Sequence, residues 1–307
     1  MSHSSLLFSD ALPDAIITLP HTDWATPSES AVDAIDALEQ GKVLFLPQLA
    51  FSLSAEEISL LTPTLVDPKR KNISYQPQRD KLSGIANDVH NQNDIAAVRA
   101  LLQRHYQQCQ QLIDHLLPAY RDHLHSPTNS LRLHPIAEWK AGNSWRKDDT
   151  RLHIDAFPSR PNHGERILRI FTNINPRGES RVWRVGEPFP ALAQRFVPLC
   201  KRYHPLTCWL QNKVGITKTY RSHYDHLMLQ LHDAMKGDPD YQEAGLQRQI
   251  AFPAGSSWIC FSDQTAHAAM SGQFMLEQTF LLPVKAMKTP QHAPLQILET
   301  LLHKPLV

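Results

Sequence analysis

The chain has only four cysteines in 307 residues, Cys109, Cys200, Cys208 and Cys260, and no Cys-x-x-Cys spacing among them. This rules out a disulfide framework or a thiolate zinc site, leaves the cysteines as reduced packing residues, and points to a reducing compartment. Charge of one sign is lacking too, because 31 Lys and Arg face 30 Asp and Glu for a net charge of +1. No global field suggests nucleic acid or a strongly acidic partner, so electrostatic recognition has to be local. Long apolar runs are also missing, with nothing near the roughly 20 residues that cross a bilayer. Residues 1–8 lack the basic start and longer apolar core of a secretory leader. A cytoplasmic protein is expected, one still able to rest on a membrane surface. Repeats and low-complexity tracts are absent, and 42% hydrophobic residues suffice for a substantial core.

Residues up to about position 40 are polar and punctuated by proline, and Lys42-Val-Leu-Phe-Leu-Pro47 then reads as a short buried strand. Ser54-Ala-Glu-Glu57 is a capping box that opens a helix. From Asp94 to about Leu117 the residues Ile95, Val98, Leu102, Tyr106, Cys109, Ile113 and Leu116 recur at helical spacing, and Pro118 stops the run. The texture changes between about 130 and 190. Short runs rich in β-branched and aromatic residues, Ile167 to Ile174 and Arg181 to Val185, are separated by turn residues. Helical patterning returns over 191 to about 246, and two further strands, Ser256 to Phe261 and Phe274 to Pro283, close the core. These signals predict a mainly β fold with flanking helices, a jelly roll within a single domain. Residues 1–129 supply an N-terminal strand and helical buttress, 130–285 the jelly-roll core with a helical insertion at about 191–246, and 286–307 a C-terminal tail.

The chemistry-bearing signal is His153-x-Asp155 at a strand end, with His267 as the distant third candidate. Two imidazoles and one carboxylate suit Fe(II) and leave coordination positions open, whereas structural zinc normally recruits thiolates. A hydrolytic zinc centre would use the same donors. A second His-x-Asp, His223-Tyr-Asp225, falls on a helix marked by the stripe Tyr224, Leu227, Met228, Leu231 and Met235. Residues two apart on a helix point about 200° from each other, so this pair reads as a solvated helix face.

With these residues in hand, the segment from about 140 to 285 resembles the Fe(II)/2-oxoglutarate-dependent dioxygenases, by His153-x-Asp155, the strand from Arg166 to Asn175, the strand from Gly255 to Phe261, and His267. The resemblance implies a double-stranded β-helix and the cofactors Fe(II), 2-oxoglutarate and O2. In many members an Arg or Lys about ten residues beyond the distal histidine holds the far carboxylate of 2-oxoglutarate. Here residues 268–284 contain neither, only Gln278 near that place. Strand alternation puts Arg169, Phe171 and Asn173 on one face and Leu168, Ile170 and Thr172 on the other. If the first set faces inward, Arg169 forms a bidentate pair with the carboxylate and Asn173 adds a hydrogen bond; otherwise Arg166 or another residue takes this part.

The stretch from Trp145 through His153 to Phe189 is similar, more specifically, to the bacterial Kdo 3-hydroxylases. That resemblance implies hydroxylation at C3 of Kdo carried on Kdo-lipid A during lipopolysaccharide synthesis, with release of succinate and CO2, by a cytoplasmic protein able to sit peripherally on the cytoplasmic face of the inner membrane. Arg160 and Arg166, flanking the loop after the metal motif, are then the expected contacts to the acidic sugar. Lys69-Arg-Lys71 with Arg79 and Lys81 forms a second basic stretch, either a solvated loop or a contact to lipid phosphates. Three alternatives stay open at this point: a dioxygenase with another substrate, a noncatalytic sugar-binding jelly roll using Trp145, Trp183 and Trp258, and a metal-dependent hydrolase or isomerase on a cupin-like barrel.

Overall fold

The computed structural model describes residues 12–28, 30, 32–89, 91–140 and 144–307. The amino-terminal segment read for a secretory leader lies outside them. Within the described residues eleven strands form two sheets: β1 (Ile16–Thr18), β2 (Val43–Leu46), β3 (Ile73–Gln76), β4 (Lys81–Ser83), β5 (His125–Arg132), β6 (Arg166–Asn173), β7 (Arg181–Gly186), β8 (Gln247–Phe252), β9 (Ser257–Phe261), β10 (His267–Ser271) and β11 (Met275–Leu282). The larger sheet has the order β1-β2-β9-β6-β11-β5-β3-β4 and the smaller one β10-β7-β8. All neighbours are antiparallel except β1 and β2. Among the described residues nine α-helices surround them: α1 (Ala34–Glu39), α2 (Ala55–Ser59), α3 (Gln92–Leu116), α4 (Ile136–Lys140), α5 (Phe189–Phe196), α6 (Pro205–Lys213), α7 (His223–Gly237), α8 (Pro239–Ala244) and α9 (Pro294–Leu302). This is the expected mainly β jelly-roll arrangement with flanking helices, its two sheets facing each other without closing into a barrel.

The central strand β6 is buried along its whole length, because both of its faces are covered. Leu168 and Ile170 join the core beneath α3 with Leu101, Leu102 and Leu112. Phe171 turns the other way, into a cluster with Trp183, Phe252 and Trp258 between the sheets. The alternation expected for this strand is therefore realised. The capping box at Ser54 and Glu57 is present as well.

The long helix is where expected, but its buried row is rotated. The buried residues are Val98, Leu101, Leu102, His105, Cys109, Leu112 and Ile113, so the polar His105 occupies the centre of the face. It is satisfied there: Asn129 Nδ2 donates to His105 Nδ1 at 2.8 Å, which leaves Nε2–H to donate to Thr172 Oγ1 at 3.3 Å. Burial pushes its pKa from 6.5 down to about 3. Below about pH 6.5 the unfolded chain therefore takes up a proton that the folded chain refuses, so stability falls as the pH falls towards 3. A loss of about 2 kcal/mol between pH 7 and pH 5 is expected from this residue. Urea unfolding at the two pH values checks this, and His105→Gln should flatten the slope by about one proton.

The insertion between β7 and β8 contains α5 to α8. Tyr224, Leu227, Met228, Leu231 and Met235 pack α7 into a second core with Phe189 and Phe196. One expectation on this helix fails: Asp225 is not on a solvated face. It is buried, accepting from Ser222 Oγ at 2.6 Å and from the Asn162 and His163 amides at 3.0 Å each, with His223 stacked on Tyr203. The carboxylate at the third helical position satisfies otherwise unpaired amides at the helix start. The expected tail also folds: Leu295 and Leu298 of α9 and Leu306 enter the second core, and the Tyr224 amide donates to the Leu306 carbonyl.

Candidate metal and cosubstrate site

The segment around His153 is extended and lies along the edge of β10. The His153 amide donates to the His267 carbonyl at 3.0 Å and the His267 amide returns a bond to the His153 carbonyl at 2.9 Å. The two histidines thus form a hydrogen-bonded antiparallel pair, which puts their side chains on the same face. Two residues on, Asp155 keeps that face because the backbone is extended, and its amide is anchored on the Ser262 carbonyl at 2.8 Å. The donor atoms of His153, Asp155 and His267 all lie within 4.8 Å of one another.

The donors are prepared for a cation. His153 Nδ1 lies 2.7 Å from the Arg151 carbonyl, and His267 Nδ1 lies 2.8 Å from that of Thr265. Each Nδ1–H therefore donates outward, which leaves both Nε2 lone pairs for a metal. Burial lowers both imidazole pKa values and so keeps the rings neutral. For Asp155 burial alone would raise the pKa, but the Arg169 guanidinium beside it holds it below the usual carboxylate range. Its Oδ2 has no hydrogen-bond partner. A neutral-imidazole pair with an ionised, partly unsatisfied carboxylate fits Fe(II).

Between the sheets the side chains become cationic. Arg169 Nη1 stands 3.3 Å from Asp155 Oδ2 and 3.3 Å from Glu277 Oε1. Arg132 pairs with the other oxygen of Glu277 at 2.8 Å. Arg181, one alternation before Trp183 on β7, projects into the same space. Burial first, and then the charge of Arg132, push its pKa down to about 10. Gly272 lets the chain pass here: its φ is 118°, and a Cβ there would meet Arg181 Cα at 2.9 Å. A cleft lined by Lys71, Arg132, His134, Asp149 and Arg181 opens beside it. Trp183 stacks on the His267 ring at 5.1 Å, shielding that imidazole on one side.

The other expected residues fall elsewhere. Asn173 Nδ2 donates to the Glu179 and Phe252 carbonyls at 3.0 Å, and its Oδ1 accepts from the Asn175 amide, so the side chain closes the turn after β6. Arg166 is fully buried and not at the mouth: it pairs with Asp263 at 2.8 Å, donates to Gln264 at 2.6 Å and lies 4.0 Å over the Phe261 ring. Arg160 is exposed on the loop that follows Asp155. Gln278 faces the α3 side, accepting from Asn129 at 2.8 Å, while its neighbour Glu277 faces the site. Lys71 leaves the basic stretch and turns inward onto Asp149. Burial lowers its pKa to about 8 against the opposing pull of Asp149.

Four residues had escaped the sequence. Arg132 and Arg181 were hidden because a single arginine in a strand carries no period of its own, although alternation with Trp183 marks the inner face of β7. His232 and Lys236, four apart on α7, border its apolar row. The His232 ring meets that of His153 edge-on at 5.4 Å, and the buried Lys236 donates to the Arg146 carbonyl while its charge helps lower the His153 pKa.

Two facing sheets whose ends gather two imidazoles and one carboxylate define the jelly-roll class of non-heme iron oxygenases. The profile of the 3-deoxy-D-manno-oct-2-ulosonic acid (Kdo) hydroxylase family matches residues 21–305. Solved structures of the Kdo hydroxylase KdoO, a non-heme Fe(II) alpha-ketoglutarate-dependent dioxygenase, share 44% sequence identity over 95% of this chain and 97% of theirs. The cobalt(II) complex superimposes with a TM-score of 0.91 and the complex with alpha-ketoglutarate and Fe(III) with 0.89. A complex with succinate and Fe(III) also gives 0.89. Among curated proteins no match was found. The chain belongs to the Kdo hydroxylase family and is an Fe(II)/2-oxoglutarate-dependent dioxygenase.

Proposed function

We propose that this enzyme hydroxylates C3 of Kdo on Kdo-lipid A at the cytoplasmic face of the inner membrane, with His153, Asp155 and His267 holding the iron. Iron, 2-oxoglutarate and O2 supply the oxidising chemistry, in which the cosubstrate is converted to succinate and CO2 and the sugar gains a hydroxyl. The observation that carries this reading is the collection of buried polar atoms that make no hydrogen bond in the space between the sheets: Asp155 Oδ2, which has only the ion pair with Arg169, and Arg169 Nε, Arg181 Nε, Trp183 Nε1 and Trp258 Nε1. Buried polar groups are rarely left unpaired, and a dicarboxylate beside a cation is the chemistry these atoms lack.

The chain's own residues divide the work. The Arg151 and Thr265 carbonyls fix the tautomers of both histidines. Arg169 keeps Asp155 ionised, and a metal drawing on that carboxylate weakens their attraction and leaves guanidinium edge for a carboxylate of 2-oxoglutarate. Arg181, which has no ion pair among the described residues in its buried position, is the second cation for that group. Where many relatives carry a cation on the strand after the distal histidine, Glu277 stands here, so the cations come from β6 and β7. Trp183 and Phe171 exclude water from the interior. Arg160 on the exposed loop is the proposed contact to the acidic sugar.

Anaerobic addition of Fe(II) and 2-oxoglutarate should produce the weak visible charge-transfer band of a chelated oxoacid, and O2 with Kdo-lipid A should then release succinate. No band and no succinate would remove the reading. Arg169→Ala and Arg181→Met should each raise the KM for 2-oxoglutarate at least about tenfold, the scale of one lost charge-assisted hydrogen bond. A variant whose KM stays at the wild-type value takes that arginine out of the assignment.

A further inference from the structure

The helical insertion turns an apolar row outward. On α6, Leu206, Trp209, Leu210 and Lys213 fall at i, i+3, i+4 and i+7, the spacing that ordinarily turns a helix towards a core. Here Leu206 is 82%, Trp209 52% and Leu210 56% exposed, whereas Cys208 on the opposite side is buried. Val214 and Ile216 extend the exposed run beyond the helix. One exposed leucine needs no explanation, but five large apolar residues between positions 206 and 216 do. The Lys213 ammonium lies 5.6 Å over the Trp209 ring, a pairing suited to the boundary between water and an apolar phase.

This patch is fastened beside the metal site. Arg221 donates to Gln211 Oε1 of α6 at 3.2 Å and to the Pro158 carbonyl at 2.7 Å, and the Lys218 amide donates to the Ser159 carbonyl at 3.1 Å. Pro158 and Ser159 lie on the loop that leaves Asp155. Four exposed cations lie close enough to act on one another at the same rim: Arg79 and Lys81 around the start of β4, Arg160 on the loop, and Lys218 between α6 and α7. Among the described residues no ion pair joins any of them to a carboxylate. Arg160 first, then burial, Arg79 and Lys81, lower the Lys218 pKa, as expected of cations crowded without a counter-ion.

We propose that this face, the exposed row of α6 with Val214, Ile216 and the four cations, docks the enzyme on a bilayer containing anionic phospholipid. The mouth of the site then lies against the membrane, where a lipid-linked sugar is presented. The inference rests on the lipid-borne Kdo reading. An apolar helix face flanked by cations is the composition of an interfacial helix. A second copy of the chain fits poorly, because a two-fold contact would bring the same unpaired cations against themselves.

Flotation of the full chain with vesicles of phosphatidylcholine, alone or with one quarter phosphatidylglycerol, tests this. Wild type should float with the anionic vesicles, less so at high salt. Combined Leu206→Ser, Trp209→Ser and Leu210→Ser should lower the partition coefficient at least about tenfold. Combined Arg79→Gln, Lys81→Gln and Lys218→Gln should lower it roughly a hundredfold, at about fivefold per cation. Melting temperatures should stay unchanged, since all six side chains face solvent. Equal flotation of wild type and the serine variant overturns the proposal, as does a wild-type dimer that the serine variant abolishes without any flotation. Succinate release from Kdo-lipid A dispersed in detergent, which the serine variant should retain, separates the two readings. Release without vesicle binding sinks the docking face alone. Binding without release supports the docking face and removes the lipid-borne Kdo reading instead.

Discussion

His267→Ala is expected to abolish iron binding and lower succinate release by on the order of a thousandfold or more, since even partners one shell out from a metal are worth roughly 10- to 100-fold. Asp155→Ala should do the same, and it also leaves the Arg169 guanidinium without one of its two carboxylates. The fold should survive the histidine change, because what pairs residues 153 and 267 is their backbone amides and carbonyls. Iron content after anaerobic loading, read beside a melting curve, therefore separates a lost ligand from a lost structure. His223→Ala is the control: that ring stacks on Tyr203 at 4.8 Å, away from the centre, and should leave iron content intact. If His267→Ala keeps its iron and turns over within tenfold of wild type, the ligand set is wrong.

The contrast between the two His-x-Asp pairs shows what was legible in the sequence. The stripe from Tyr224 to Met235 declares a helix, and a helix separates residues two apart, so His223 and Asp225 could be set aside without coordinates. The burial of Asp225 was not legible, because the amides of Asn162 and His163 that hold it come from a loop sixty residues earlier. Alternation on β6 was legible for a similar local reason and put Arg169 and Phe171 on one face; that this face is the one between the sheets was not legible, since both faces of β6 are buried. The strand β10 was hidden: His-Ala-Ala-Met-Ser has little β propensity, and its pairing with β7 and with His153 is entirely long-range. Asn173, read as a hydrogen bond to the cosubstrate carboxylate, has its amide engaged by the turn after β6 instead, because a strand's last residue can face inward and still be taken up by the turn. Asn and Asp favour such backbone bonds.

Arg166→Met should cost stability before it costs substrate affinity, and the size of that effect decides between the two roles its position allowed. The guanidinium is fully buried against an Asp263 carboxylate that is 1% exposed, and Asp263 Oδ1 also accepts from the Ile167 amide at 3.0 Å. Removing the cation strands a buried anion, a change that typically costs about 3–5 kcal/mol. The turn that Arg166 holds is the one that positions the proposed metal ligands. Its Ser262 carbonyl anchors Asp155, its Thr265 carbonyl fixes the His267 tautomer, and Gln264, to which Arg166 donates, binds the Glu39 carbonyl. Activity should therefore fall together with iron affinity, while the KM for Kdo-lipid A in the remaining active enzyme stays near the wild-type value. Pairing Arg166→Met with Asp263→Leu removes the stranded charge as well and should recover more than half of the lost unfolding free energy. Arg160→Gln, at an exposed position, should leave the urea midpoint where it is and instead raise the KM for the acidic substrate. An Arg166→Met enzyme that unfolds within 1 kcal/mol of wild type but binds Kdo-lipid A tenfold more weakly would return Arg166 to the mouth of the site.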